Sequence, residues 1–359
     1  MSVKKRGTSW RARFRDDSGR EHQKSFARKA DAEAWEREQR RALDRGDWLD
    51  PTAGHVPFRA YATEWLTAQQ HMRPSTRAQA ESRLRLHVFP VVGDLPLARI
   101  RRSDVQQVIT RASRTLAPST VRIVHAYTTS VLSAAVADRL IASSPAVGIS
   151  LPQPERARMT PPTPEQVAHL AEKVPPRFRA LVVLVAATGL RSGEARALTA
   201  DRLSPRLHLR GRVVPQQVTI SVDRSLRDDR SFGPTKTTAA VRDVTVGPTV
   251  ARTLAEHIAT FGLGPDGLLF HDNGKALLRG QAGRVWKQAA DGMGLRSRSG
   301  WHDLRHAHAS TLLSEGVSIA AVSARLGHSS PTETLAAYAW AMPSDEQRIV
   351  DVTERAMRL

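Results

Sequence analysis

The apolar residues near the N-terminus alternate with cationic ones, which is the period of a half-buried β-strand. The apolar side holds Trp10, Ala12 and Phe14, and the cationic side holds Arg11, Arg13 and Arg15. A turn at 16–19 and a second strand through 24–26 predict a hairpin with a cationic outer face. A helix follows from Lys29 to Arg45. The helix residues predicted to face inward are Ala30, Ala34 and Trp35. Residues 1–50 are therefore predicted to form a small domain of one β-hairpin and one helix.

A helical period replaces this alternation over residues 56–150. Apolar positions three and four residues apart, beginning with Phe58 and Tyr61, predict several short helices around one core. The predicted helix starts are Pro74, Ser103 and Ser119. The polar faces of these helices carry many arginines, and Arg77 and Arg122 are the ones we select as candidates for binding a polyanion.

A proline-rich segment without periodicity, residues 151–162, predicts an exposed linker. Thr163 then begins a capping box, which is a helix start signal. The rest of the chain, 163–359, is predicted to be helical apart from a strand-like zone that includes 218–222 and 242–246. The predicted fold is therefore multidomain and mainly α, with small β-sheets and an α+β C-terminal domain.

The net charge of the chain indicates the kind of partner that it binds. The chain has 359 residues, of which 54 are Lys or Arg and 35 are Asp or Glu, giving a formal net charge of +19. With 40% hydrophobic residues this is a folded protein whose positive field favours nucleic acid, although basic ribosomal and membrane-surface proteins share the property. Zero cysteines exclude disulfides, thiol nucleophiles and Cys-containing zinc sites. The longest apolar run, 180–187, is too short to cross a bilayer, and the N-terminus leads into no apolar signal segment, so we expect a cytoplasmic protein.

Two isolated cations stand out in the C-terminal half. The stretch TGLRSGE presents Arg191 in a glycine-punctuated turn, where it could also simply pair with Glu194 as an ordinary helix cap. The stretch PTKTT contains Lys236, the only lysine between Lys173 and Lys275. Lysine can lose its proton and arginine effectively cannot, so this choice of residue is informative, although most turn lysines are merely solvated.

The stretch WHDLRH puts His302, Arg305 and His306 on about one helical turn. Two histidines four residues apart have the spacing of zinc-peptidase ligands, with Asp303 in place of the usual glutamate. An arginine between them would repel a divalent cation but could hold two oxygens of a phosphate. A third zinc ligand is not evident, because His308 lies off that face.

Tyr338 is the only tyrosine after Tyr127, so a tyrosine-dependent reaction in this half has one candidate. It follows LGHSS, which contains His328, and a stretch in which Ser330 and Glu333 are predicted to form a capping box. The helix that starts there is predicted to carry Leu335 and Tyr338 on one face.

The set TGLRSGE, PTKTT, HDLRH, LGHSS and T-x-x-x-Y resembles the tyrosine recombinase, or phage integrase, family in order and spacing. The resemblance spans the chain. It implies an arm-type DNA-binding domain over 1–50, a helical, SAM-like core-binding domain over 56–150 and a catalytic domain over 163–359. The six catalytic residues that it implies are Arg191, Lys236, His302, Arg305, His328 and Tyr338.

The resemblance implies that Tyr338 attacks a DNA phosphodiester and remains attached to its 3′ phosphate. Arg191 and Arg305 would clamp the non-bridging oxygens, since a guanidinium suits two oxygens of one phosphate. His328 would be a further hydrogen-bond donor to the phosphate. Glu194 matches the family's acidic position and is expected to support Arg191.

Proton transfer would fall to the other residues of the set. Lys236 would be the general acid for the leaving 5′ hydroxyl, and His302 would be the acid/base partner near the tyrosine. His306 is expected to be a structural hydrogen-bonding residue of the same helix. No metal or other cofactor is expected. Because one phosphate ester is exchanged for another of similar energy, rejoining needs no nucleotide.

The leading hypothesis is a bacterial recombinase that integrates and excises a phage or integrative element at double-stranded DNA attachment sites. It would act as a homotetramer in the nucleoid, with a directionality factor and a DNA-bending host protein as further partners and no membrane contact. The alternatives are a catalytically inactive sequence-specific DNA-binding protein and a type IB topoisomerase. The completeness of the six-residue set disfavours an inactive DNA-binding protein. The expected arm-type domain disfavours a topoisomerase.

The cationic excess predicts DNA binding that weakens steeply with salt, because each neutralised phosphate releases counterions. Titrations of labelled duplex between about 50 and 200 mM salt should give a straight, steep line of log affinity against log salt. A flat line would contradict the DNA hypothesis.

Overall fold

The computed structural model describes residues 3–17, 19–153, 160–207, 214–235, 237–296, 299–341, 350 and 353–357. The chain divides into two compact units, Met1–Ala157 and Arg158–Leu359. Within the described part, no helix has both the length and the apolar character needed to span a bilayer.

The first unit begins with an antiparallel sheet of three strands in sequence order, followed by a helix. Their bounds are β1 Lys4–Arg6, β2 Ser9–Arg15, β3 Glu21–Phe26 and α1 Lys29–Asp44. The predicted hairpin is β2 with β3, and β1 adds an edge strand that alternation had not indicated. Ala12 and Phe14 are buried as predicted. The predicted inward face of α1 is wrong at Ala30 and Ala34, which are exposed, whereas Ala32 is fully buried.

A bundle of short helices completes the first unit. The helices are α2 Phe58–Ala68, α3 Pro74–Arg83, a π-helical turn Leu84–Val88, α4 Phe89–Val92, α5 Arg102–Ser113 and α6 Pro118–Ala137. Phe58 and Tyr61 are buried in the shared core. Helix α3 begins at Pro74 as predicted, but α5 and α6 begin one residue before Ser103 and Ser119. The carboxylate of Asp104 accepts from the backbone N–H of Arg101 at 2.8 Å, which moves the start of α5 to Arg102.

The second unit is mainly helical. Its helices are α7 Pro164–Lys173, α8 Pro176–Thr188, α9 Ser192–Arg196, α10 Pro248–Phe261, α11 Arg279–Ala290, α12 Trp301–Ser314, α13 Ile319–Leu326 and α14 Pro331–Tyr338. Thr163 caps α7 by accepting from the N–H of Gln166 at 3.3 Å, as the capping box predicts. The apolar run 180–187 lies in α8, which packs against α7, α10 and α12.

Small antiparallel sheets flank the helices of this unit. The strands are β4 Leu203–Ser204, β5 Val218–Val222, β6 Arg224–Leu226, β7 Phe232–Pro234, β8 Arg242–Val246, β9 His271–Asp272 and β10 Lys275–Ala276. The described sheets have the orders β4-β5-β8, β6-β7 and β9-β10. Both predicted strands are present and pair with each other, with Ile220 opposite Val244.

Gly189 ends α8 in a left-handed conformation with φ +66°, where it is packed tightly. A Cβ at this position would lie 2.6 Å from Cδ2 of Leu326 and 2.8 Å from Cδ2 of His308. The positive φ would strain any L-residue at this position, and an added methyl group would clash with both side chains. Gly294 has the same φ of +66°, but a Cβ there would meet no described atom within 4 Å.

We predict that Gly189→Ala lowers the free energy of unfolding by about 2–5 kcal/mol, the sum of left-handed strain and overpacking. Gly294→Ala is the matched control and should lower it by only about 1–2 kcal/mol, since it has the strain alone. Urea denaturation of both full-length variants measures the difference. Equal destabilisation by the two variants would contradict the packing argument.

Candidate active site

Two residues of the first turn of α12, Trp301 and Asp303, are held by hydrogen bonds to neighbouring segments. Asp303 is 1% exposed and accepts from the N–H of Gly300 at 3.0 Å and from Nε of Arg296 at 3.1 Å. The indole N–H of Trp301 donates to the carbonyl of Ala282 at 2.7 Å. These contacts fix the first turn of the helix, and therefore the direction in which the following side chains project.

Arg305 projects from α12 into the interior and is 1% exposed. Its Nη1 donates to the carbonyl oxygen of Gly189 at 2.7 Å. Burial, together with the positive charge of Arg191, lowers the pKa of Arg305 to about 10. The guanidinium therefore stays protonated at neutral pH, in a place where water screens its charge poorly.

Arg191 lies in the turn between α8 and α9, and its guanidinium has two partners. Nη1 donates to Oε1 of Glu194 at 2.8 Å, and Nη2 donates to the carbonyl oxygen of Gly327 at 3.1 Å. The other carboxylate oxygen of Glu194 accepts from the backbone N–H of Arg191 at 3.0 Å. The expected support of Arg191 by Glu194 is present as both a salt bridge and a cap.

Arg242 is a further cation at this carboxylate, and the sequence analysis did not identify it. Its Nη2 donates to Oε2 of Glu194 at 3.0 Å, and its Nε donates to the carbonyl oxygen of Arg325 at 2.6 Å. Burial would raise the pKa of Glu194, but Arg242 and Arg191 hold it below its usual range. Glu194 is therefore ionised and bridges two guanidinium groups.

Tyr338, at the end of α14, is 1% exposed. Its hydroxyl lies 2.7 Å from Nδ1 of His306, and the two rings are 5.4 Å apart between centroids. Burial raises the pKa of Tyr338 to about 12, although the charge of Arg305 acts to lower it. The phenol is therefore protonated at neutral pH, and it lies within electrostatic range of a guanidinium of the same chain.

His302 was expected beside the tyrosine, but the structure gives the hydroxyl His306 instead. His302 is solvent-exposed, and its ring lies 4.7 Å from that of His306, nearly perpendicular to it. Although part of the side chain is accessible, protein atoms that displace water around the ring, together with His306 and Arg305, lower the pKa of His302 to about 4. His306 is half-buried, and its ring lies next to those of both His302 and Tyr338. It was expected to have only a structural role, but it also contacts the hydroxyl of Tyr338.

His328 follows Gly327, which ends α13 in the left-handed conformation with φ +69°. Its Nδ1 lies 2.7 Å from the hydroxyl of Thr334, which is fully buried. Burial and the charge of Arg305 lower the pKa of His328 to about 4. The side chain is neutral at pH 7 and close enough to Arg305 and Arg191 to be affected by their charges.

The structure corrects one prediction about α14. Ser330 makes no side-chain cap bond, and the hydroxyl of Ser329 bonds to the carboxylate of Glu333 instead. Leu335 and Tyr338 lie three residues apart on this helix, but Leu335 is 45% exposed whereas Tyr338 is 1% exposed. Lys236, the sixth residue of the predicted set, lies outside the described residues.

The candidate DNA-binding arginines all lie in the first unit. Arg11, Arg13 and Arg15 lie on β2, where Arg15 is exposed and the other two are half-exposed. Arg77 is half-exposed on α3, and Arg122 on α6 donates to Oε1 of Gln153 at 3.4 Å. They remain candidates.

Chemically, the second unit gathers two partly engaged guanidinium groups, three imidazoles of lowered pKa and one protonated phenol. Such a set can bind an anion and move a proton to or from a hydroxyl. Among the described residues, no three His, Asp or Glu side chains lie close enough to share a metal ion.

Two family descriptions match the chain, "Phage integrase central domain" over residues 58–150 and "Phage integrase family" over residues 158–344. The chain is 29% identical to a putative prophage phiRv2 integrase of Mycobacterium tuberculosis over 334 residues, which is 89% of this chain and 86% of that protein. It is 30% identical to the tyrosine recombinase XerD of Corynebacterium glutamicum over 252 residues, covering 69% of this chain and 75% of the other.

Solved structures share the fold at low identity. The Tn1549 transposon integrase bound to a circular intermediate DNA superposes with a TM-score of 0.70 at 18% identity, over 83% of this chain and 99% of that one. A lambda integrase from a tetramer bound to a Holliday junction gives 0.60 at 17% identity, over 92% and 96% of the two chains. With a family match over more than half of its length, the chain belongs to the phage integrase family, whose members are tyrosine recombinases.

Proposed function

We propose that this tyrosine recombinase cleaves and rejoins DNA through Tyr338, with the phosphate held by Arg191 and Arg305. The observation that carries the proposal is geometric: within one chain, the hydroxyl of Tyr338 lies 2.7 Å from His306, which follows the buried Arg305 on α12. A nucleophile and an anion-binding group share one site, so the chain can supply its own tyrosine to its own phosphate clamp.

The phosphate would add negative charge to a site where the single carboxylate of Glu194 offsets only part of the charge of Arg191, Arg242 and Arg305. Arg191 and Arg305 each donate to a backbone carbonyl, which orients the guanidinium without adding an opposite charge, and Arg191 is also paired with Glu194. Removing one such preorganised donor typically slows a reaction about 10²- to 10³-fold. If Nδ1 of His328 accepts from Thr334, its Nε2 carries the proton and can donate to a phosphate oxygen.

Lys236 is proposed as the general acid that protonates the leaving 5′ oxygen. The phosphodiester bond is replaced by a phosphotyrosine ester of similar energy, so rejoining needs no nucleotide. We assign no metal and no cofactor to the reaction.

The finer biological assignments are also proposals. Residues 1–50 would bind arm-type sites through Arg11, Arg13 and Arg15, residues 56–150 would bind core sites with Arg77 and Arg122, and 151–162 would link them to the catalytic residues 163–359. A homotetramer on attachment-site DNA is supported by the lambda integrase tetramer, and DNA as the partner is supported by the net charge of +19. Integration and excision of a phage or integrative element would use a directionality factor and a DNA-bending host protein, in the nucleoid of a bacterial cytoplasm.

Tyr338→Phe should abolish covalent attachment to DNA while leaving binding unchanged, because only the attacking oxygen is removed. The substrate is a nicked attachment-site duplex, incubated with the protein in EDTA and resolved on a denaturing gel. Wild type should give a protein–DNA adduct. An adduct from the phenylalanine variant would contradict the assignment of Tyr338, and DNA binding without adduct by the wild type would favour the inactive DNA-binding alternative.

Glu194→Gln should slow adduct formation by about 10²-fold, because a guanidinium displaced by an ångström loses its alignment with the phosphate. The matched control is Glu333→Gln, since Glu333 is a surface carboxylate bonded to Ser329 and should tolerate the change. Single-turnover rates at saturating DNA, below the melting temperature of each variant, make the comparison. Equal rates for Glu194→Gln and wild type would contradict the positioning role.

A further inference from the structure

We propose that His306, rather than His302, accepts the phenol proton of Tyr338 when the tyrosine attacks DNA. The inference rests on the proposed function and adds to it a residue outside the six predicted from the sequence. It is carried by one contact, the 2.7 Å separation between Nδ1 of His306 and the hydroxyl of Tyr338.

The burial of Tyr338 makes an internal acceptor necessary. The side chain is 1% exposed, so its proton cannot pass directly to bulk water. His306 is half-buried and lies between the phenol and His302, which is exposed. The two histidines four residues apart on α12 therefore form an inner and an outer position, and only the inner one touches the nucleophile.

The protonation states suit this transfer. Burial lowers the pKa of His306, so its imidazole is neutral and has one free lone pair at neutral pH. Burial also keeps the phenol of Tyr338 protonated, with a pKa raised to about 12. The pair therefore begins as a phenol that donates to Nδ1, with the imidazole proton on Nε2.

The charged and titratable groups around His306 are Tyr338 on α14, His302, Asp303 and Arg305 on α12, Arg296 before it and His328 after α13. Arg305, Arg296 and His328 favour the neutral imidazole, and Asp303 favours the charged one. Asp303 can therefore stabilise the imidazolium that forms during the step.

The step balances without any added reactant. The O–H proton of Tyr338 moves to Nδ1 of His306 as the phenolic oxygen forms a bond to phosphorus. The bond from phosphorus to the 5′ oxygen breaks, and that oxygen takes a proton from the general acid, proposed to be Lys236. Rejoining runs the same transfers backwards, with the imidazolium returning its proton to the departing phenolic oxygen.

The test uses full-length His306→Ala and His306→Asn with nicked attachment-site DNA at saturation. Asparagine places Oδ1 where Nδ1 lies in histidine, so it can accept the hydrogen bond but cannot take up the proton. Both variants should form adduct about 10²- to 10⁴-fold more slowly than wild type. Their rates should also rise about tenfold per pH unit above neutrality, since hydroxide must then remove the proton. Thermal unfolding and DNA affinity, measured alongside, report whether each variant is folded.

A second substrate separates a proton acceptor from a proton donor. When sulfur replaces the 5′ bridging oxygen, the leaving group needs no protonation. This DNA should restore the rate of Lys236→Ala and leave both His306 variants slow. His302→Asn is the matched control on the outer histidine and should lose less activity than His306→Asn.

Four outcomes would overturn the inference. These are a His306→Ala rate equal to or above that of wild type, full activity in His306→Asn with loss only in His306→Ala, rescue of the His306 variants by sulfur, and a larger loss in His302→Asn than in His306→Asn. The second outcome would show that His306 only positions Tyr338. Failure of wild type to form any adduct would instead overturn the proposed function itself.

Discussion

The active-site region depends on the carboxylate of Glu194, which is buried between two guanidinium groups. Arg191 and Arg242 each donate to it, with distances of 2.8 and 3.0 Å. Buried like charges repel strongly in a poorly screening interior, and removal of one partner from a buried ion pair typically destabilises by about 3–5 kcal/mol. Glu194 therefore permits a cluster of arginines to be folded into the protein before any phosphate is present.

Arg305 and Arg191 are also held by backbone carbonyls at the C-terminal ends of two helices. Gly189 terminates α8 and its carbonyl accepts from Arg305, while Gly327 terminates α13 and its carbonyl accepts from Arg191. The C-terminal end of a helix carries partial negative charge, which stabilises a nearby cation without cancelling its charge. Both glycines have positive φ, so the local backbone that ends each helix also aims a carbonyl at an arginine.

The sequence predicts the helices and strands that depend on local patterns. It does not predict the contacts and helix rotations that depend on packing between distant elements. The strands at 218–222 and 242–246 follow from periodicity, and the start of α7 follows from the capping box at Thr163. The exposed Ala30 and buried Ala32 do not, because the rotation of α1 is set by the sheet beneath it. Likewise, spacing places His302 and His306 on one face of α12, but only the approach of α14 decides which of them meets Tyr338. Arg242 was missed for the same reason, since its partner Glu194 lies on a distant element.

The imidazoles and the guanidinium groups of the site have separate electrostatic roles. Burial and neighbouring cations lower the pKa values of His302 and His328 to about 4, so both side chains are neutral at pH 7 and add nothing to the positive charge. A phosphate seated between Arg191 and Arg305 would offset those cations, and a nearby negative charge raises the pKa of an imidazole. Proton affinity in the site would therefore rise only when DNA is bound, which couples the capacity for acid–base chemistry to the presence of the linkage to be broken.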